Sequence, residues 1–457
     1  MPRHKVVIIG GGPGGYEAAL VAAQLGAQVT VVERDGLGGA CVLADCVPSK
    51  TLIATSGMMA ALDGSAGLGI TGAGKATVDA ARLYRRVRDL ACAQSADVAA
   101  RLDADGVEVI AGTGRLTSPR TVAVGDRELT ADTVLIAPGA SPRALPGSEP
   151  DGERILTCRQ LYDLDELPPQ LIVVGSGVTG AEFASAYQAL GSRVTLVSSR
   201  DRVLPNEDAD AAIVVEEVFR RRGMTVLSRS RAASVARSGA GVEVRLADGR
   251  AVRGTHCLLA VGMVPGTGDL GLDKAGIEPD EKGFVPVDGV SRTAAPGVYA
   301  AGDCTGVMML ASVAAMQGRI AMWHALGEAV RPIRLGHVAA TIFTEPEIAT
   351  VGVSQRDVES GAVDGLALKL PLATNARAKM QGFRDGFVKL FARRGSGTVL
   401  GGVVVAPRAS ELILPVSLAV EQMLSVDQLA QTFAVYPSLS GSITEAARKL
   451  MRPSAGS

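Results

Sequence analysis

Two stretches of the chain share one pattern of apolar and polar positions. KVVIIGGGPGGYEAALVAAQLGAQVTVVERD, from Lys5, sets an apolar run before a glycine cluster, then apolar positions at helical spacing, then a second apolar run ending in charge. QLIVVGSGVTGAEFASAYQALGSRVTLVSSRD, from Gln170, repeats that plan without a gap, so that Gly10, Gly12 and Gly15 map onto Gly175, Gly177 and Gly180, and Glu17 onto Glu182. The pattern predicts strand, glycine turn, helix and strand, twice over. Between the repeats lie an Ala-rich helical region to about residue 100 and strand-like stretches ending in TVLIAPGASP. From about residue 336 a different pattern begins, with strands over HVAATIFTEPEIATVGV, GFVKLFARR and VLGGVVVAP and helices from Ser410, which predicts a separate α+β unit.

Glycine at three positions of such a turn has a physical reason. The first permits the tight turn, the second lets backbone approach a pyrophosphate, and the third lets helix pack on strand, with phosphate on the helix N-terminus. One such loop often only turns the chain; two in register, each behind an apolar strand, point to two dinucleotide sites. Glu33 ends the second strand of the first repeat and is placed to bind both hydroxyls of an unphosphorylated ribose, as in FAD or NAD. Ser198 and Ser199 stand at the corresponding end of the second repeat, followed by Arg200 and Arg202. With no carboxylate there and two cations nearby, that site is expected to admit NADPH as well as NADH, unless both arginines are merely solvated surface charges.

Composition narrows the picture only slightly. At 457 residues the chain suits about three domains. A net charge of −1 gives no support to a nucleic-acid or membrane-surface partner. The N-terminal MPRHK precedes only a short apolar run, no stretch reaches the ~20 apolar residues of a membrane span, and a cytoplasmic location is expected. His4, His256, His324 and His337 are isolated from other ligand types, so no metal site is expected. Cys41 and Cys46 are the one close cysteine pair, either redox-active or inert.

These motifs, in this order, resemble the class I pyridine nucleotide-disulfide oxidoreductases, the family of lipoamide dehydrogenase and glutathione reductase, over essentially the whole chain. GGACVLADCVPSK resembles the redox-active cysteine segment; VLIAPGASP and VYAAGDCTG resemble further FAD contacts; LASVAAMQG resembles the helix whose N-terminus faces the flavin pyrimidine. The resemblance implies an α/β protein with two Rossmann-like domains, for FAD and NAD(P), plus a C-terminal α+β domain for homodimerisation. The implied boundaries are 1–147 and 283–335 for the FAD domain, 148–282 for the NAD(P) domain and 336–457 for the dimerisation domain. It further implies FAD contacts at Gly10, Gly12, Gly15, Glu33, Gly39, Lys50, Gly139, Asp303 and Ala311. Nicotinamide-nucleotide contacts are implied at Gly175, Gly177, Gly180, Ser198, Arg200 and Gly262. Lys50 and Glu182 match a pair that sits beside flavin N5, where a charge pair tunes hydride transfer; the alternative is two unrelated helix-surface charges.

Three departures bear on the reaction. The family's disulfide reductases take a His held by a Glu from the partner subunit, whereas the aligned YPSLSG puts Tyr436 at the His position and Gly441 at the Glu position, with no His after His337. An ordinary phenol, titrating near ~10, is a poor base but a usable donor to a carbonyl oxygen; Tyr436 as a packing residue is the alternative. Leu43 and Asp45 replace the usual Asn and Gly, and Asp45 is expected to raise the Cys46 thiol and disfavour its thiolate. AVGMVPGT has Met263 and Gly266 in place of Arg and Asn. Within the family the chain is most similar to the NAD(P)H quinone reductases related to lipoamide dehydrogenase. The expected function is transfer of hydride from NAD(P)H through FAD to a quinone, with Lys50, Glu182 and Tyr436 taking part and Cys41 and Cys46 dispensable. The rivals are a dithiol-disulfide reductase such as dihydrolipoamide dehydrogenase, working through Cys41 and Cys46, and a non-catalytic FAD-holding redox sensor.

Overall fold

The computed structural model describes residues 3–451; the outermost residues, 1–2 of the MPRHK segment and 452–457 of the expected dimerisation domain, lie outside the described residues. Each repeat builds a five-stranded parallel sheet of the same plan. In the first, Lys5–Ile9 is central, flanked by Gln28–Glu33 and then Glu108–Ala111 on one side and by Thr133–Ile136 and then Val298–Ala300 on the other. In the second, Gln170–Val174 is central, flanked by Arg193–Val197 and Thr225–Leu227 on one side and by His256–Leu259 and Ile155–Leu156 on the other. The central strands are apolar on both faces because both are covered, one by helices and the other by an antiparallel meander, as parallel sheets require. Each sheet is accompanied by a three-stranded antiparallel meander, Gly114–Ser118 to Arg127–Thr130 in the first unit and Ala232–Ser238 to Ala251–Gly254 in the second.

The Ala-rich region resolves into two helices, Cys46–Gly64 and Ala80–Ala104. Both pack with the second repeat's helix, Val178–Leu190, in one core that includes Leu52, Tyr84, Phe183 and Tyr187. The two units therefore share a core at the place where Lys50 and Glu182 face one another.

The third unit is a five-stranded antiparallel sheet, Ala340–Ile342, Glu347–Gly352, Val399–Ala406, Phe387–Arg393 and Gly365–Pro371 in spatial order, backed by Leu414–Glu421 and Gly441–Leu450. The three strand stretches read from the sequence are there. The edge strand Gly365–Pro371 is an addition, because its weakly alternating GLALKLP, half of it exposed, gives little pattern to read. The other face of this sheet rests on the second unit: Phe387, Phe391, Val403 and Val405 share a core with Ala211, Val215 and Phe219 of the helix Ala209–Arg221.

Candidate active site

The two glycine turns are geometric copies. A Cβ on Gly15 would lie 1.8 Å from the Gly10 carbonyl oxygen, and one on Gly180 would lie 1.9 Å from that of Gly175, so helix and strand approach as only glycine allows. The middle glycines behave in the opposite way: around Gly12 and Gly177 nothing lies within 4 Å of an added Cβ. Each middle glycine precedes a helix, Pro13–Gln24 or Val178–Leu190, whose N-terminus has no side-chain cap. Open space before uncapped N–H groups is what a phosphate needs, and the residues at both turns fit a dinucleotide. Gly39 abuts the first turn, its Cβ position 2.8 Å from the Gly12 Cα.

The strand ends differ as the sequence indicates. The Glu33 carboxylate accepts N–H groups from Gly11 at 2.6 Å, Asp35 at 2.6 Å and Gly36 at 3.2 Å, which holds it at the rim of the first turn. Ser198 occupies the matching place but is fully buried, sharing a 2.7 Å hydrogen bond with the Ser176 hydroxyl and accepting the Arg200 N–H at 3.1 Å. A small hydroxyl at this corner is drawn into the turn and braces it. Ser199 and Arg200 are the exposed side chains beside it. Gly262 lies next to Arg143, whose guanidinium donates to the Met263 carbonyl at 3.2 Å.

Between the two turns, the short helix Gly39–Leu43 carries Cys41, the chain breaks at Ala44 and Asp45, and Cys46 opens the long helix. The two free sulfurs face one another in hydrogen-bonding contact. The Cys41 thiol, sharing that hydrogen bond and buried, is pushed well above the ordinary range. The Cys46 thiol is lowered, chiefly by the hydrogen bond from Cys41 and also by the Lys50 charge, against burial and Asp45. Asp45 opposes the Cys46 thiolate, as expected, and is offset by the hydrogen bond from Cys41 with a smaller help from the Lys50 ammonium.

One turn along the same helix, the Lys50 Nζ donates to the Glu182 Oε2 at 2.9 Å. The other carboxylate oxygen accepts the Phe343 N–H at 2.9 Å, and the Phe343 ring lies 4.9 Å from the ammonium. Burial would depress the Lys50 ammonium; the Glu182 charge and hydrogen bond, with Cys46 and Asp45, more than offset this and hold it above its usual value. These are therefore not independent surface charges: Glu182 is 3% exposed. Phe343 went unread in the sequence, since its part depends on a backbone N–H brought in from a distant unit.

Asp303 follows the strand Val298–Ala300, and no protein donor binds its carboxylate among the described residues; burial, with Asp45 nearby, raises it to about 6. A carboxylate in that state suits a polyol hydroxyl. The helix Ala311–Ala325 begins beside it with no side-chain cap, so its first N–H groups are available to a bound ring oxygen. Gly139 adopts a φ of 69° at the turn leaving Thr133–Ile136. Tyr436 is not in this cluster within one chain. It is 86% exposed, on a loop with Phe433 and Val435 also exposed. No group of His, Cys, Asp and Glu that could hold a metal ion occurs among the described residues, and no helix of the described residues is long and apolar enough to cross a membrane.

Two dinucleotide turns converging on a cysteine pair and a Lys–Glu pair define a nucleotide-dependent oxidoreductase architecture, and the chain belongs to the pyridine nucleotide-disulphide oxidoreductase family, which residues 4–318 match, with its dimerisation domain matched by residues 338–447. The chain is 58% identical to the NAD(P)H dehydrogenase (quinone) of Mycobacterium tuberculosis H37Rv, over 98% of this chain and 94% of that protein. It is 36% identical to the dihydrolipoyl dehydrogenase of Chlorobaculum tepidum, over 97% of this chain and 96% of that one. Among solved structures it is similar to LpdA from Mycobacterium tuberculosis, with a TM-score of 0.93 and 57% identity over 98% of this chain and 100% of that one.

Proposed function

We propose that the protein is a homodimeric NAD(P)H:quinone oxidoreductase that binds FAD at the first glycine turn and NADPH or NADH at the second. What carries this reading is a conjunction: Lys50 is ion-paired to the buried Glu182, while the resemblance aligns Tyr436 and Gly441 with the His and Glu of the family's disulfide reductases. The kinship with a protein named NAD(P)H dehydrogenase (quinone) supports it.

FAD, when bound, supplies the two-electron store between nicotinamide and acceptor. The chain's own residues do the rest. Gly12 and Gly177 admit the pyrophosphates, Glu33 takes the ribose hydroxyls of the first dinucleotide, and Asp303 and the start of Ala311–Ala325 orient the ring system. Lys50, kept charged by Glu182 and backed by Phe343, fixes a positive charge at the face where the nicotinamide stacks. Reduction of a quinone by NAD(P)H consumes one proton besides the hydride; water or the phenol of Tyr436, brought from the partner by dimerisation, delivers it to the quinone oxygen. Sulfur chemistry is not needed for that balance.

A second reading, a dithiol-disulfide reductase, is favoured by the lowered Cys46 thiol beside Lys50. Steady-state turnover of benzoquinone, naphthoquinone and lipoamide with NADPH and with NADH, on wild type and Cys41→Ser, tests the two. Quinone turnover that survives Cys41→Ser is expected; robust lipoamide turnover with negligible quinone turnover would overturn the proposal.

A further inference from the structure

The least exposed lysine of the third unit does not face solvent or a bound group; it is locked onto the second unit. Lys389, 2% exposed, lies on the strand Phe387–Arg393. Its ammonium donates to both carboxylate oxygens of Asp208, at 2.9 and 2.7 Å, and pairs with Asp210 at 2.7 Å. Lys369, from the neighbouring strand, reaches the other oxygen of Asp210 at 2.9 Å, and the Phe387 ring lies 5.5 Å from both ammonium groups. Asp208 is also the N-cap of Ala209–Arg221, accepting the Ala211 N–H at 3.2 Å.

What this network holds is one end of a loop. Residues 198–208 leave the second strand of the second repeat, expose Ser199 and Arg200, and return. The near end is braced by Ser198 on Ser176. The return leg is buried: Val203 donates its N–H to Glu216 at 2.9 Å, and Leu204, at a φ of 51°, donates its N–H to the Ser176 carbonyl at 2.8 Å. The far end finishes on Asp208, whose only cationic partner among the described residues comes from the third unit.

We infer that Lys389 is a positioning residue for the nicotinamide nucleotide: by clamping Asp208 and Asp210 it fixes the loop that presents Ser199 and Arg200 to the adenosine ribose. This rests on the reading that the second glycine turn takes NAD(P)H. A cation inserted into an otherwise apolar contact adds direction rather than net attraction, since a buried ion pair gains little over well-packed apolar residues. Here that direction is spent on the end of a binding loop.

Isothermal titration of the oxidised FAD holoenzyme with NADP⁺ and with adenosine 2′,5′-bisphosphate tests it. Lys389→Met is expected to weaken both by about tenfold, the scale on which small misplacements of binding groups act. The double variant Lys389→Met with Asp208→Asn removes the stranded charge and keeps a good N-cap, so it is expected to regain the thermal midpoint but not the affinity. Unchanged affinity in Lys389→Met, or affinity that returns with stability in the double variant, would overturn the inference. Should Lys389→Met fail to fold, Asp210→Ala removes the bonds of Asp210 to Lys369 and Lys389 and leaves Lys389 on Asp208; a loss of about threefold, one hydrogen bond's worth, is expected, and none would again overturn it. Reoxidation of dithionite-reduced enzyme by benzoquinone is read in parallel: its absence in wild type would sink the quinone proposal while leaving the clamp standing.

Discussion

Replacing Lys50 by Met removes an ammonium and leaves its length. At the observed 2.9 Å, and with an effective dielectric of about 20, the attraction to Glu182 is roughly 6 kcal/mol before desolvation is subtracted. Stranding one member of a fully buried pair costs about 3–5 kcal/mol, but the Lys50 side chain is 32% exposed, and screening brings the expected loss of stability to about 2 kcal/mol. The kinetic effect is expected to be larger, because a fixed charge facing a developing one contributes to the barrier directly; removal of one such group typically slows a step by about a hundredfold or more. Glu182→Gln is a gentler change, since an amide oxygen still accepts the Phe343 N–H. Stopped-flow bleaching of the flavin by saturating NADPH under anaerobic conditions measures the step, with NADPH affinity from the concentration dependence. Lys50→Met reducing its flavin within twofold of wild type would refute the placement of this pair at the hydride-transfer face.

Other outcomes follow from the same geometry. His337 shares a 2.6 Å hydrogen bond with Glu421 in the third unit, so His337→Asn asks whether an imidazole–carboxylate pair is working after all; unchanged quinone turnover is expected, and its collapse would restore acid-base chemistry of the disulfide-reductase kind. Tyr436→Phe is expected to lower quinone turnover only a few-fold, because water can deliver the proton, and to leave flavin reduction by NADPH untouched; a slowed reductive step would place Tyr436 elsewhere. His256 is buried, and the Arg154 guanidinium donates to its Nε2 at 2.9 Å, so the ring is held neutral with a pKa of about 4. Its folded value lies below the ordinary 6.5, so the native state binds fewer protons; its stabilisation is complete above about pH 6.5 and declines towards pH 4, by about 2 kcal/mol at pH 5. Urea unfolding of wild type and His256→Gln at neutral and mildly acid pH checks this, and an unaltered pH slope in the variant would refute it.

How far the sequence could be read depends on the range of the interactions involved. The glycine turns are legible from spacing, because the demand at Gly15 and Gly180 comes from the carbonyl five residues before each; the second demand, on Gly10 and Gly175 from the Ala137 and Ala260 carbonyls, appears only in the fold. Glu33 was legible from spacing too. Ser198 was not: whether a hydroxyl at a strand end faces out or in depends on Ser176 across the turn, and the two residues look alike in either case. Asp45 shows a limit of another kind: its sign of effect on Cys46 was legible, but the hydrogen bond from Cys41 and the charge of Lys50, which oppose it, depend on the fold. Phe343 and Lys389 carry no signal at all in their own segments, which read simply as strands, because each matters through a partner in another unit.

The strand Val298–Ala300 closes the edge of the first sheet although the whole second unit intervenes between it and its neighbour, Thr133–Ile136. During synthesis the N-terminal unit must therefore wait, one strand short, while the inserted unit is made and folds, and Asp303 arrives only with that final strand. Such long sequence separation slows closure and prolongs the exposure of an unpaired sheet edge. A ribosome pausing before Ala300 would hold a chain that has already made its glycine turns but has no complete cradle, so completion of the cradle marks the last stage of this unit's maturation rather than an early nucleus.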